Sequence, residues 1–227
     1  MNTENNYYIV EFNNDDIIFT PKEGYDKVLI WLPGLGDTAK SYYDDILDER
    51  RPVPNKMKVI ILTAPVNKNN KHSWYDYISN RKVNENSYSH HVERITKVID
   101  SEALLLKNDY SKVFLGGFSQ GSCMSFLIGL TDKVRNFGGI ICCSGFFFDH
   151  IKPLEGRNKL PILICHGTKD NIISISYAME TYKHLIDGGY NITYKTYEFA
   201  HELTWAEYKD IKEFIENNVN SNQSQKF

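Results

Sequence analysis

An α/β fold, built on a mainly parallel, doubly wound sheet with helices on both faces, is predicted by three features of this 227-residue chain. Short apolar runs alternate with segments of helical period. Most of those runs are apolar throughout instead of alternating, as strands covered on both faces are. The residues best suited to chemistry follow directly after the runs, where open α/β sheets bind their ligands.

The elements can be taken in order. Tyr7–Phe12 and Ile17–Phe19 read as an edge hairpin around Asn13-Asn14-Asp15-Asp16. Val28–Leu32, Val59–Leu62, Val113–Leu115, Gly139–Cys143, Ile162–Cys165 and Ile192–Phe199 read as strands. Val92, Ile95, Ile99, Ala103 and Leu106 mark one helical stripe. Cys123, Met124, Phe126, Leu127 and Leu130 mark a second. A third helix, Tyr177 to Ile186, is stopped by Gly188-Gly189, and a last one runs from about Glu202 to Val219, turning Tyr208, Ile211, Phe214 and Ile215 inward. With no internal repeat or linker, residues 1–220 are expected to form one domain and 221–227 a short polar tail.

Bulk properties exclude several function classes. A net charge of −3, a pI near 6.2 and no long Lys/Arg run argue against a nucleic-acid partner. No apolar run reaches membrane length, so stable membrane insertion is not expected. The start, Met1-Asn2-Thr3-Glu4-Asn5-Asn6, is polar and unlike a signal peptide, and position 2 is not the glycine that myristoylation needs. No prenylation box closes the chain, and a cytoplasmic protein is expected. Cys123, Cys142, Cys143 and Cys165 all fall in core segments with no zinc-like spacing, which points to buried free thiols in a reducing compartment and no metal. Asn191-Ile192-Thr193 fits a glycosylation acceptor by chance in such a protein.

Gly117-Phe118-Ser119-Gln120-Gly121 fits G-x-S-x-G between an apolar run and a helical stripe. That context is a nucleophile elbow, in which a serine projects from a strained strand-to-helix turn. Glycines two before and two after let strand and helix approach. The amide after the nucleophile, Gln120 N–H, would then point at a developing oxyanion. An ordinary glycine-rich turn is the plainer alternative. Against it, Asp170 follows the run ending at Cys165, and His201 follows the run ending at Phe199. The order Ser, Asp, His is that of the α/β-hydrolase fold and differs from the chymotrypsin and subtilisin orders. Ser119 is thus the expected nucleophile, His201 its base, and Asp170 the carboxylate that orients the imidazole.

Six other histidines compete for the base. His90 and His91 adjoin on a helix and face different ways, so both are expected at the surface. His166, before a glycine at a strand end, suits a structural hydrogen bond. Among the competing acids Asp37, Asp76 and Asp149, none has the order and placement of Asp170.

Six segments carry a resemblance to a family: Leu32-Pro33-Gly34-Leu35-Gly36-Asp37-Thr38, Ala64-Pro65-Val66, Ser73-Trp74-Tyr75-Asp76, Gly116-Gly117-Phe118-Ser119-Gln120-Gly121, Cys165-His166-Gly167 and His201-Glu202-Leu203. In that order they resemble the acyl-protein thioesterases, a group that also contains small carboxylesterases and lysophospholipase-like enzymes. The resemblance implies an α/β-hydrolase fold, catalysis by Ser119, Asp170 and His201, and no cofactor. The substrate would be an acylated protein or a small ester, and the enzyme a monomer or weak homodimer. It also implies that Leu35 N–H is the second oxyanion donor, beside Gln120 N–H. Pro33 stands where relatives usually carry histidine, which removes any bond that side chain made.

The resemblance makes Trp74 a wall near the nucleophile, with core packing the alternative, and Asp76 a loop-bracing acceptor. Phe146-Phe147-Phe148 lies just past a strand end, where Phe146 and Phe147 would line the acyl site or else fill the core. Three successive aromatics cannot all face one way. Between Pro65 and Trp74 the chain is short and polar, whereas long-chain thioesterases carry a longer apolar loop there. That departure, with Ser122-Cys123-Met124 and His201-Glu202-Leu203, leans toward the lysophospholipase-like branch and short acyl groups.

Overall fold

The computed structural model describes residues 7–79 and 82–223. Its strands are β1 (Tyr8–Asn13), β2 (Asp16–Pro21), β3 (Lys27–Leu32), β4 (Met57–Ile61), β5 (Val113–Phe118), β6 (Gly139–Cys143), β7 (Ile162–Gly167) and β8 (Ile192–Tyr197). They form one eight-stranded sheet in the order β1-β2-β4-β3-β5-β6-β7-β8. The β1–β2 hairpin and the β2–β4 pair are antiparallel, and every pairing from β4 through β3 to β8 is parallel. The expected fold class is the one observed. The helices are α1 (Tyr43–Leu47), α2 (Ser89–Leu105), α3 (Gln120–Thr131), α4 (Ile175–Asp187) and α5 (Trp205–Gln223).

Strand periodicity explains why the central runs are apolar at every position. On β3, Val28, Ile30 and Leu32 enter one core with Ile95 and Ile99 of α2 and Phe126 of α3. Leu29 and Trp31 enter the opposite core with Ile46 of α1 and Tyr208, Ile211 and Ile215 of α5. Successive side chains point to opposite faces, so a strand covered twice needs apolar residues throughout. Edge strand β8, by contrast, has no fully buried residue.

Two differences from the sequence reading have local causes. α2 begins at Ser89, and its inward face carries His91, Ile95, Ile99 and Ala103. His91 is therefore buried, not at the surface, with its ring edge-on to Trp74 at 5.7 Å. Burial pushes its pKa down to about 4, so it packs as a neutral ring. α5 starts at Trp205 because Thr204 and Glu207 cap it reciprocally: Thr204 Oγ1 accepts the Glu207 N–H at 3.5 Å, and Glu207 Oε2 accepts the Thr204 N–H at 2.8 Å. The helix runs on to Gln223, so 221–223 of the expected tail are helical, while 224–227 and the polar start 1–6 lie outside the described residues. No helix of the described residues is long and apolar enough to cross a membrane.

All four cysteines are free and buried. Cys143 and Cys165 are register partners on β6 and β7, and their sulfurs lie with a Glu207 carboxylate oxygen within 4.8 Å of one another. These three ligand-type side chains are buried in the core packed by α5. Burial raises the Glu207 carboxyl from 4.5 to about 7, outweighing the Thr204 hydrogen bonds. A carboxyl whose folded pKa is raised contributes stability below its unfolded pKa, and that contribution is lost as pH rises through about 7. Ionising it in place costs up to about 3 kcal/mol. Glu207→Gln keeps an acceptor for Thr204 and cannot ionise. Calorimetry should show it raising Tm at about pH 8 and changing it little at about pH 5. Equal shifts at both pH values would detach Glu207 ionisation from stability.

Candidate active site

The turn from β5 into α3 holds Ser119 at φ 51°, ψ −116°, a left-handed conformation that side-chain-bearing residues rarely adopt. The flanking glycines are required by contact. A Cβ on Gly117 would lie 2.5 Å from the Gly121 carbonyl carbon, and one on Gly121 only 1.9 Å from the Leu32 carbonyl oxygen. Ser119 N–H donates to Cys143 O at 2.8 Å, and Ser119 O accepts from Cys123 N–H at 3.2 Å. The turn is thus fixed to β6 and to its own helix.

The other two residues arrive on adjoining loops after β7 and β8. Gly167 makes that possible, since a Cβ there would meet the Ala200 and Phe199 carbonyl oxygens at 2.4 and 2.5 Å. His201 Nδ1 donates to Asp170 Oδ2 at 2.7 Å, and His201 Nε2 lies 2.9 Å from Ser119 Oγ. The Asp170 side chain is wholly buried, and Oδ1 accepts the N–H groups of Ile172 and Ile173 at 2.9 and 2.8 Å. Burial alone would raise its pKa. The bonds from His201 and from those two amides outweigh burial and hold the carboxyl below its usual value. Asp170 is therefore a fixed anion beneath the imidazole. His166 donates through Nε2 to Ile173 O at 2.8 Å, the structural bond expected of it, and burial lowers its pKa.

Gly34 and Leu35 form a turn directly against Ser119, for a Cβ on Gly34 would sit 3.4 Å from Ser119 Cβ. Gly36 takes φ +86°. Leu35 and Gln120 both line a cleft of about 970 Å³ that contains Ser119 and His201. Ile78, Phe146, Ile172 and Tyr177 give it apolar wall, while Ser79, Asn171 and Ser174 stand among them. Asp37 also lines it, its carboxyl raised by burial against the lowering effect of His201.

A model of the phospholipase/carboxylesterase family matches residues 13–219. The chain belongs to that family. It is accordingly a hydrolase of ester or thioester bonds. Acyl-protein thioesterase 1 of Gibberella zeae is 25% identical over 228 residues, covering 88% of this chain and 93% of the relative. The Candida albicans protein of the same name is 28% identical over 215 residues, covering 84% and 91%. Arabidopsis thaliana SOBER1 superposes with a TM-score of 0.72 at 23% identity, over 85% of this chain and 99% of that one. The Bacillus cereus carboxylesterase reaches 0.75 at 18% identity, over 89% and 93%.

Within this phospholipase/carboxylesterase frame, the remaining site expectations divide. Phe146 lines the cleft. Phe147 packs on Phe126 and Phe148 on Tyr75, both buried in the core. Trp74 is completely buried and is not among the cleft-lining residues; it takes the core alternative, with Nε1–H donating to Pro33 O at 2.9 Å. Asp76 braces its loop through its backbone: its N–H donates to Ser87 Oγ and its carbonyl accepts from Asn84 N–H. The polar loop closes as a tight hairpin, with Val66 bridged to His72 and Asn67 N–H donating to Lys71 O at 2.8 Å. It faces a neighbouring groove of about 390 Å³ with Lys68 and Lys71, not the main cleft. The cleft walls Tyr77, Ile78, Ile172 and Tyr177 escaped the sequence reading. All four lie in loops or on a helix start, without a distinguishing period.

Proposed function

We propose that this chain hydrolyses acyl esters and thioesters through a covalent acyl-Ser119 intermediate. The unbroken series Ser119–His201–Asp170, with bonds of 2.9 and 2.7 Å, carries the reading. His201 Nε2 takes the Ser119 proton as Oγ attacks the acyl carbon. The resulting oxyanion is held by the N–H groups of Leu35 and Gln120. As the tetrahedral adduct collapses, the C–O or C–S bond breaks and His201 returns the proton to the leaving alcohol or thiol. Water repeats the sequence against the acyl-enzyme and frees the acid. Asp170 stays ionised and stabilises the imidazolium. No metal or organic cofactor has a place in these steps.

The proposed substrates are S-acylated proteins, in keeping with the named activity of the thioesterase relatives. A second reading, a small-ester or lysophospholipase-like enzyme, is favoured by the hairpin at residues 66–72, which withholds its side chains from the main cleft. A non-catalytic binding protein on this fold has no use for three residues bonded in series. The acting form would be a cytoplasmic monomer or weak homodimer.

A fluorophosphonate should label the protein once, at Ser119, with the adduct absent from Ser119→Ala by intact mass. An adduct in that variant would move the nucleophile elsewhere. Ser119→Ala and His201→Ala should each lower kcat by roughly 10⁴–10⁶, and Asp170→Ala somewhat less. Near-native turnover in His201→Ala would displace the base.

Chain-length preference follows from the cleft walls. Each methylene buried against apolar surface contributes about 0.8 kcal/mol, so kcat/KM should climb several-fold per two carbons while the apolar wall lasts. Ser79, Asn171 and Ser174 interrupt that wall. The preference should peak at short to medium acyl groups and decline before palmitoyl. Initial rates on p-nitrophenyl esters of increasing chain length, below their critical micelle concentrations, test this. Rates rising through to the palmitoyl ester, with equal release of palmitate from an S-acylated peptide, would make depalmitoylation the better description.

A further inference from the structure

Gln120 has a side chain that the hydrolytic mechanism does not use. It is almost wholly buried at the first position of α3, yet it carries a full amide. Its Oε1 accepts the Trp74 N–H at 2.7 Å, and its Nε2 donates to the Tyr75 carbonyl at 2.9 Å. The Ser73 hydroxyl lies 3.2–3.3 Å from both ends of the amide and donates onward to Tyr75 O at 2.8 Å. One amide therefore reads a backbone donor and the next backbone acceptor, a pairing satisfied in only one orientation of the group.

The segment it grips holds the turn on the other side of the cleft. Trp74 Nε1–H donates to Pro33 O at 2.9 Å, and Gly36 N–H donates to His72 O at 2.8 Å. His72 Nδ1 in turn donates to Ala64 O at 2.6 Å. Leu35 lies between those two tethered residues, with its own side chain 43% exposed. Its packing cannot set where its N–H lies. The tethers on Pro33 and Gly36 set it, and both lead back to residues 72–75 and so to Gln120.

We propose that the Gln120 side chain is a positioning group for the oxyanion site. Through residues 72–75 it fixes the turn that presents the Leu35 N–H, while its own backbone supplies the partner N–H. One residue then sets the spacing of both donors relative to Ser119. This rests on the acyl-Ser119 reading above, and it assigns Trp74 the second link of the same strap.

The consequence is a loss confined to the transition state. Gln120→Leu keeps the backbone N–H and a side chain of similar bulk, but it leaves Trp74 N–H and Tyr75 O without a side-chain amide partner. With kcat normalised to sites titrated by fluorophosphonate, it should fall about 10²-fold while KM stays within about twofold, the effect of misplacing one donor. Inhibition by an alkylboronic acid, whose tetrahedral Ser119 adduct occupies the oxyanion site, should weaken in step with kcat. Trp74→Phe, which loses the indole N–H together with part of its ring, should show the same split, and the double variant should be no slower than its slower parent.

Gln120→Glu supplies a signature that mere destabilisation does not produce. Its protonated carboxyl can donate to Tyr75 O and accept from Trp74 N–H, as the amide does, whereas the carboxylate repels the Tyr75 carbonyl. Its kcat should therefore fall as that carboxyl ionises with rising pH, a decline absent from the wild-type profile. Wild-type kcat in Gln120→Leu, a pH profile of Gln120→Glu parallel to wild type, or unchanged boronate affinity would overturn the strap. If wild type takes no fluorophosphonate at Ser119, the nucleophile assignment fails first and the strap with it. Labelled wild type beside a fully active Gln120→Leu sinks the strap alone.

Discussion

The site depends on one steric constraint, the approach of the first turn of α3 to the end of β3. Gly121 lies so close to the Leu32 carbonyl that a Cβ would stand 1.9 Å from the oxygen. Any side chain there must push the helix away from the strand. Because Leu32 leads directly into Pro33, Gly34 and Leu35, the same contact sets the distance between Ser119 and the turn at Leu35. Ser119 keeps its left-handed φ of 51° only because both ends of its turn are held, at Cys143 through its N–H and at Cys123 through its carbonyl. Strain of this kind, of order 1–3 kcal/mol, persists where the surroundings over-determine the backbone.

The second half of the site repeats the device at Gly167. There the backbone of the Asp170 loop touches that of the His201 loop, and Thr168 and Lys169 donate to Tyr197 O and Phe199 O across the gap. Asp170 then receives two amides on one oxygen and the imidazole on the other. A buried carboxylate so satisfied stays charged without a cation beside it. The charge the mechanism needs is therefore kept by backbone dipoles and one histidine.

Much of this was legible in the sequence, and the reasons are particular. The runs at residues 28–32, 113–115 and 139–143 were readable as strands because a strand covered on both faces leaves no polar position. The elbow glycines were readable because only glycine tolerates such contacts. Tertiary partnership was not legible. His91 reads as a surface residue in sequence because the apolar stripe begins at Val92, yet it shares the inner face of α2 with Ile95 and Ile99 and meets Trp74 there. Trp74 itself carries a family signature without lining the cleft, because its indole serves Pro33. The amide of Gln120 gave no periodic signal either, since its partners are backbone groups some 46 residues away in sequence.

The cleft walls are built differently from the chemical groups. Ser119, Asp170, His201 and the turn at Leu35 are fixed by backbone contacts and by hydrogen bonds between strand ends, which side-chain substitution at the rim leaves untouched. Ile78 and Ile172, at 63% and 70% exposure, sit on loops and project toward solvent. Apolar side chains so exposed gain little from intramolecular packing and much from covering an acyl chain. In the proposed reaction, Ser119, Asp170 and His201 can therefore stay constant while these walls change, which would leave the choice of acyl group to residues 77–79 and 171–174. That separation follows from the sheet: its carboxyl ends hold Ser119, Asp170 and His201, and the loops beyond them line the cleft where such sheets take their ligands.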